Sequence, residues 1–155
     1  ANDEEWITDI EHATKGCKVD FPIIGDESRE IALQLGMLNN AHKNAAGIPL
    51  PARGVYIIGP DKKLKLQLLY PATTGRNFDE ILRVLDSLQL THYYEVATPA
   101  NWRDGEACYV LPSVPAASLS SKFPKGVKVI SIPSKRPYLK ATPVPTHEVN
   151  KAAGY

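Results

Sequence analysis

"RGVYIIGPDKKLKLQLLYPATTGRNFDEILRVLDSLQL", residues 53–90, is the stretch that decides the fold. Its opening "RGVYIIG" is apolar on both faces, the pattern of a central strand. "KLKLQLLY" (63–70) alternates, with Leu64, Leu66 and Leu68 on one face and Lys63, Lys65 and Gln67 on the other. "GPDKK" between them reads as a turn, because Pro60 presets φ and Asp61 can bond back to the backbone. The lysines suit an edge strand, where charge discourages uncontrolled pairing. A polar loop then leads to Asn77, an N-cap, with Glu80 three residues on in the capping-box spacing. Phe78, Ile81, Leu82, Leu85 and Leu88 follow at helical spacing and predict a helix that packs one face on the sheet. The order strand, turn, strand, loop, helix describes an α/β chain. It sets Arg76 at a helix N-terminus, beside unpaired backbone N–H groups that favour an anionic neighbour.

Upstream, Asp3 is placed to cap a first helix, with Glu4 and Glu5 in its positive first turn and Trp6, Ile7 and Ile10 on its apolar side. "FPII" (21–24) predicts a short buried strand. Asp26 caps "ESREIALQL", in which Ile31 and Leu35 stand one turn apart and Gly36 ends the helix. Residues 38–52 read as an irregular loop. Downstream, "EACYVLP" and "VKVISIP" read as strands, "ASLSSKFP" as a short helix, "PYLKATPVP" as extended, and "THEVNKAAGY" as a mobile tail. Residues 1–90 hold five prolines and residues 91–155 hold eight, which places a domain boundary near Thr91.

The 155 residues are 43% hydrophobic, enough for one real core. A net charge of +1, without a long basic block, argues against nucleic acid and anionic membranes as partners. The longest apolar runs are too short to span a bilayer. The start "ANDEEWITDIEH" is acidic and amphipathic, unlike a signal peptide, and lacks an initiator methionine, which fits a trimmed or partial chain. Cys17 and Cys108 allow at most one disulfide and belong to no CxxC or Cys/His cluster, so a reducing compartment, the cytoplasm, is expected.

Residue by residue, the chain says little about catalysis. Arg53 opens a buried strand, where a guanidinium needs a partner or a ligand; the plain alternative is a cation reaching solvent from a strand end. Arg76 has an equally plain alternative in a structural salt bridge. Cys17, in "KGCK", lies between lysines able to lower its pKa, although a surface thiol describes it as well. Cys108 reads as a small buried hydrophobe. The histidines at 12, 42, 92 and 147 lack ligand spacing, so no metal is expected. Phosphate-cradling GxxxxGK[ST] and nucleophile-elbow GxSxG motifs are both missing from the sequence.

Several stretches together resemble the one-cysteine peroxiredoxins of the peroxiredoxin-6 type: "DFPIIGDESREIALQLGML", "GVYIIGPDKKLKLQLLYPATTGRNFDEILRVLDSLQLT", "VATPANWRDGEACYVLP" and "FPKGVKVISIPSKRPYLKATPVP". The match runs in order from about residue 4 to 145, and "LYPATTGRNFDEILRV" followed by "VATPANW" is its most specific part. The resemblance implies the C-terminal part of a thioredoxin-like fold (1–90) followed by a small C-terminal peroxiredoxin domain (91–155). It also implies a thiol peroxidase that reduces hydrogen peroxide and organic or lipid hydroperoxides through a cysteine sulfenic acid. No bound cofactor is implied, because an external thiol such as glutathione recycles the enzyme. The family carries its reactive cysteine in a PVCTTE-type motif, which this sequence lacks, and neither Cys17 nor Cys108 stands in that context. The 155 residues are therefore expected to be inactive alone.

Three residues match family positions singly. Arg53 matches the active-site arginine, a cationic fork that stabilises the thiolate and the charge growing on the departing peroxide oxygen. Around it the sequence departs from the family pattern, with Pro51 where Thr is common and Gly54 where a larger apolar residue is usual. Arg76 matches the arginine of the family's "GR" turn, which supports the same network. Asp61 matches an aspartate proposed for a phospholipase A2 triad whose serine and histidine have no counterpart here. The family's homodimer forms by edge-strand pairing, a use to which "KLKLQLLY" is suited. A non-catalytic interaction module is the alternative reading.

Overall fold

The computed structural model describes residues 3–145. The chain divides into two compact units, Ala1–Ala52 and Arg53–Tyr155. Thr91, where proline content suggests a boundary, lies inside a helix of the second unit.

In the first unit, helix α1 (Asp3–Ala13) leaves Trp6 exposed and Ile7 and Ile10 half-buried. The side chains of Asp3 and Glu4, expected at its start, lie outside the described residues. Its end is a Schellman turn, in which Gly16 N donates to Glu11 O (2.9 Å) and Lys15, at φ 56°, donates to His12 O (3.3 Å). Helix α2 (Glu30–Gln34) is shorter than its sequence suggests, because Arg29 adopts a left-handed conformation (φ 61°) just before it. Asp26 still caps it from farther back: its two carboxylate oxygens accept from Ile31 N (3.1 Å) and Ala32 N (2.8 Å). Gly36, at φ 67°, closes the helix as expected, with Met37 N on Ala32 O.

Two expectations for this unit need correction. "FPII" is not a buried strand: it finds no pairing partner among the described residues, and Ile24 is 73% exposed. Residues 38–52 are not irregular, since β1 (Leu38–Lys43) and β2 (Pro49–Pro51) form an antiparallel hairpin. Asn44 builds its turn by accepting from Ala46 N and Ile48 N on one side-chain oxygen, with Gly47 at φ 74°. The prolines that conceal this strand from a sequence reading sit in β2, an edge strand, where a missing N–H is tolerated.

In the second unit, β3 (Arg53–Ile58) and β4 (Leu64–Tyr70) pair antiparallel from Arg53 opposite Tyr70 to Ile58 opposite Leu64. Asp61 Oδ1 accepts from Lys63 N in the turn, as its position predicts. The alternation of β4 holds from Lys65 onward, with Leu66 and Leu68 half-buried and Lys65 and Gln67 exposed, whereas Leu64, beside the turn, is exposed. The central position expected for β3 is not seen, because among the described residues it pairs with β4 alone.

Helix α3 (Phe78–Tyr93) starts at Asn77, whose side chain accepts from Glu80 N at 3.2 Å. The expected apolar stripe is only partly covered. Phe78 is 69% exposed and Leu82 is exposed too, whereas Leu90 near the other end is 1% exposed. The reason lies in what holds the helix, a second sheet and its approaches. Ser87 shares a hydrogen bond with Thr98 (2.7 Å), and Arg83 Nη1 donates to Trp102 O (3.2 Å).

That sheet has the order β5–β6–β8–β7, from β5 (Val96–Ala97), β6 (Cys108–Val110), β7 (Lys128–Val129) and β8 (Lys140–Thr142), all antiparallel. "ASLSSKFP" forms a 3-10 turn (Ala116–Ser118) and α4 (Leu119–Lys122). Leu90, Val96, Trp102, Cys108, Val110, Val114 and Phe123 make the core. Burying each aliphatic member contributes about 1.5–3 kcal/mol. Trp102 keeps its ring polarity satisfied, as Nε1 donates to Glu106 O at 2.9 Å. The tail expected at 146–155 lies outside the described residues.

Candidate active site

The β3–β4 register sets Arg53 at the end of the hairpin where β4 runs out into the loop 71–77. Arg53 is exposed, and its Nε donates to Ala72 O in that loop at 3.2 Å. The bond ties the strand-opening guanidinium to the backbone that carries Arg76. The loop is a turn closed by Thr74 N on Pro71 O (2.9 Å) and ends at the Asn77 cap. Arg76 is exposed and makes no hydrogen bond or ion pair among the described residues. The two predicted arginines thus share one end of the hairpin, and both leave donors free for an anion.

Gly54, beside Arg53, is explained by its neighbour two residues along. A Cβ at Gly54 would lie 2.6 Å from the Tyr56 ring, so the aromatic side chain fills the space of the apolar residue usual there. Pro51 lies in β2, opposite Leu38.

Asp61 is placed apart from the arginines. It sits in the turn at the far end of β3, roughly 17 Å from Arg53 at about 3.3 Å per strand residue. Both its oxygens are engaged: Oδ1 by Lys63 N (3.2 Å) and Oδ2 by Lys65 Nζ (2.7 Å). The Lys65 ammonium holds the carboxyl below its ordinary pKa. Gly59 makes room for this arrangement, since a Cβ there would meet Lys65 at 2.5 Å and Asp61 at 2.7 Å.

Within the second unit, Cys108 is not placed as a nucleophile for this pair of arginines. Both cysteines are free thiols. Cys17 is exposed in the first unit. Cys108 is 0% exposed in the core, and burial pushes its thiol pKa up, against a smaller opposing hydrogen bond from Trp102. Among the described residues no group of three His, Cys, Asp or Glu side chains could hold a metal ion.

One feature at the start of α3 escaped the sequence reading. A polar cleft of about 590 Å³ is lined by Asn77, Asp79, Glu80, Arg83, Arg103 and Asp104. Arg83 grips Glu80 with two nitrogens, Nε to Oε2 (2.5 Å) and Nη2 to Oε1 (2.7 Å). Each partner shifts the other, Glu80 downward and Arg83 upward. The i,i+3 spacing of Glu80 and Arg83 was the available signal.

No family model matches the chain. Rat peroxiredoxin-6 is 57% identical over 144 residues, which is 90% of this chain and 64% of the rat protein. A 1-Cys peroxiredoxin of Medicago truncatula is 50% identical over 141 residues, 91% of this chain and 64% of that protein. Among solved structures, a cysteine-to-serine mutant of peroxiredoxin 6 from Arenicola marina superposes with a TM-score of 0.87 at 50% identity, covering 93% of this chain and 66% of that one. Yeast mitochondrial 1-Cys peroxiredoxin gives a TM-score of 0.73 at 36% identity, covering 90% and 64%. The chain therefore spans just under two thirds of the length of these relatives, and its α/β architecture is shared with peroxiredoxins, which have the thioredoxin-like fold. Strong homology over about nine-tenths of its length places this chain in the one-cysteine peroxiredoxin family, of the peroxiredoxin-6 type.

Proposed function

We propose that the protein containing these residues is a thiol peroxidase acting on hydrogen peroxide and on organic or lipid hydroperoxides. A cysteine thiolate attacks one peroxide oxygen; the O–O bond breaks, and the other oxygen leaves with its electron pair and takes a proton. The products are a sulfenic acid and an alcohol or water. Two equivalents of an external thiol then return the sulfenic acid to thiol, releasing a disulfide and water. Arg53 steadies the thiolate and the charge on the departing oxygen, and Arg76 holds the pocket wall.

The observation that carries this reading is the Arg53 Nε–Ala72 O bond, which puts the strand-opening guanidinium and the "GR" loop at one end of the hairpin. The yeast neighbour supports the external reductant, since its thiol resolution is described as proceeding through glutathione/thioredoxin systems. Such recycling fits a reducing compartment such as the cytoplasm. No helix among the described residues is long and apolar enough to cross a membrane.

In this reading the nucleophilic sulfur comes from neither Cys17 nor Cys108, and the 155 residues supply the arginines without the nucleophile. The test is peroxide consumption by the isolated chain, with a thiol reductant present, beside a variant with both cysteines replaced by serine. The expected result is no turnover in either. Turnover that survives both replacements would show the mechanism to be misassigned, and turnover abolished by Cys17→Ser alone would move the nucleophile onto this chain.

A second role is supported by the hairpin's edges. Among the described residues neither β3 nor β4 has a second neighbour, and Leu64 and Leu69 on β4 are exposed. Pairing of that strand with its copy gives a homodimer.

A further inference from the structure

The net charge of +1 conceals a strong segregation. Residues 1–52 carry nine carboxylates against four Lys and Arg, while residues 107–145 carry six Lys and Arg and not one Asp or Glu. Two of those six are occupied, Lys122 by Glu95 and Lys125 by Val144 O at 3.0 Å. Lys128, Lys135, Arg136 and Lys140 form no ion pair or side-chain hydrogen bond among the described residues. All four lie within the hairpin that joins β7, the edge strand, to β8. Their neighbours in the sheet, β6 and β5, contribute no carboxylate either.

Aromatic surface is interleaved with these cations. Tyr138, between Arg136 and Lys140, is 60% exposed. On the sheet's outer face the register runs Ala97–Tyr109–Ala141–Lys128, so Tyr109 stands exposed between two alanines that leave its ring uncovered, two strands from Lys128. Beside the hairpin loop, a cleft of about 260 Å³ is lined by Val129, Ile130, Ser131, Ile132, Lys135 and Arg136.

We propose that this face binds single-stranded nucleic acid, with the four unpaired cations on successive phosphates and the exposed tyrosines stacking bases. Exposed rings among cations are what unpaired bases require, because every base has a π-face and the contact needs no particular sequence. A duplex fits less well, since among the described residues the α-helix that follows β6 is the four-residue α4, too short to read a groove. An anionic lipid surface fits less well too, because of the cleft's three aliphatic side chains Ile130 and Ile132 are half-buried and only Val129 is exposed to insert. The net charge and the lack of a long basic block argued against nucleic acid; the carboxylate-free run 107–145 with its four unpaired cations is the ground for proposing it. The inference stands apart from the peroxidase reading, and peroxide plays no part in its test.

The measurement is fluorescence anisotropy of a labelled oligothymidylate titrated with the chain over a range of salt concentrations. Binding is expected with Kd about 10⁻⁴ to 10⁻⁶ M near physiological salt, and log K should fall with log salt at a slope of about −2.8 for four contacts. Lys128→Gln, Lys135→Gln, Arg136→Gln and Lys140→Gln should each flatten the slope by about 0.7. Tyr138→Ala should weaken binding by about 5- to 150-fold with the slope unchanged, and Tyr138→Phe should restore it. These side chains are exposed or half-buried, and circular dichroism checks that each variant keeps its fold. Three outcomes overturn the proposal: no binding at low salt, affinity indifferent to Tyr138→Ala, or capture of phosphatidylserine vesicles while the oligonucleotide stays free.

Discussion

Replacing Arg53 by alanine in the whole protein separates a chemical role from a structural one, because the structure assigns the side chain little of the second. Its guanidinium is exposed and, among the described residues, makes one hydrogen bond, 3.2 Å long, to Ala72 O. A bond from a charged donor is worth about 1.5–3 kcal/mol when well formed, but this one is long and solvent-screened, so its loss should cost less than about 1 kcal/mol. In a protein of this size that moves Tm by no more than about 2–4 °C. Withdrawing a preorganised donor from developing negative charge costs about 2.7–4 kcal/mol, or about 10²–10³ in rate. The chemical loss therefore exceeds the structural loss roughly threefold or more. Stopped-flow peroxide reduction should show kcat/KM down by that factor, with the thiol pKa raised because a cationic neighbour is gone. Arg53→Lys should fall between, keeping the charge and losing the fork. The reasoning is refuted if Arg53→Ala keeps kcat/KM within a few-fold and leaves the thiol pKa in place, or if the activity lost is matched by an equal loss of folded protein.

Two further outcomes are expected. A thiol reagent at neutral pH should modify Cys17 quickly in the folded chain and Cys108 only after unfolding, since Cys108 is enclosed and its pKa raised by burial; fast labelling of both would contradict the core described here. That raised pKa also fixes a sign: the folded state holds the Cys108 proton longer, so its contribution to stability is complete below the unfolded thiol's pKa of about 8.5 and is lost as pH rises through the folded value, which denaturant midpoints at neutral and alkaline pH would show. Sedimentation velocity over a concentration series should show the chain dimerising through β4, whereas a monomer at every concentration would remove the second role of the hairpin.

The sequence made legible whatever was set by short-range chemistry. The Asp61 turn, the Asn77 cap and the Gly36 helix end depend on residues within five positions of one another, and the β3–β4 hairpin grows outward from that turn. The first-unit hairpin was missed because Pro49 and Pro51 read as a break, whereas an edge strand accepts them. "FPII" misled in the opposite direction, because apolar residues announce a need for burial and say nothing of whether a partner strand is present. Arg53 and Arg76 stood out by position, at a strand opening and a helix start, but only the resemblance gave them a catalytic role over their plain alternatives. No local rule joins residues 53 and 72, and only the hairpin register brings the guanidinium to that carbonyl.

The second unit contains two kinds of surface, and their contrast bears on function. Around Trp102 the second sheet is closed: Leu90, Val96, Cys108 and Val110 are buried, and the indole N–H is satisfied. The arginine-bearing hairpin and the first turns of α3 are open, with Ile58, Leu64, Leu69, Phe78 and Leu82 exposed. Scattered apolar exposure needs no explanation, but Leu69 and Phe78 are exposed on the elements that present Arg53 and Arg76. A cationic site gains strength when water is excluded from it, since the same charges act more strongly in a lower dielectric. The closed sheet anchors α3 through Arg83 and Ser87, and the Asn77 cap fixes where the loop must end. Leu69 pairs with Gly54 and Phe78 follows the Asn77 cap, so whatever covers these two side chains would also desolvate the arginines, and completing that apolar surface and activating the site become one event.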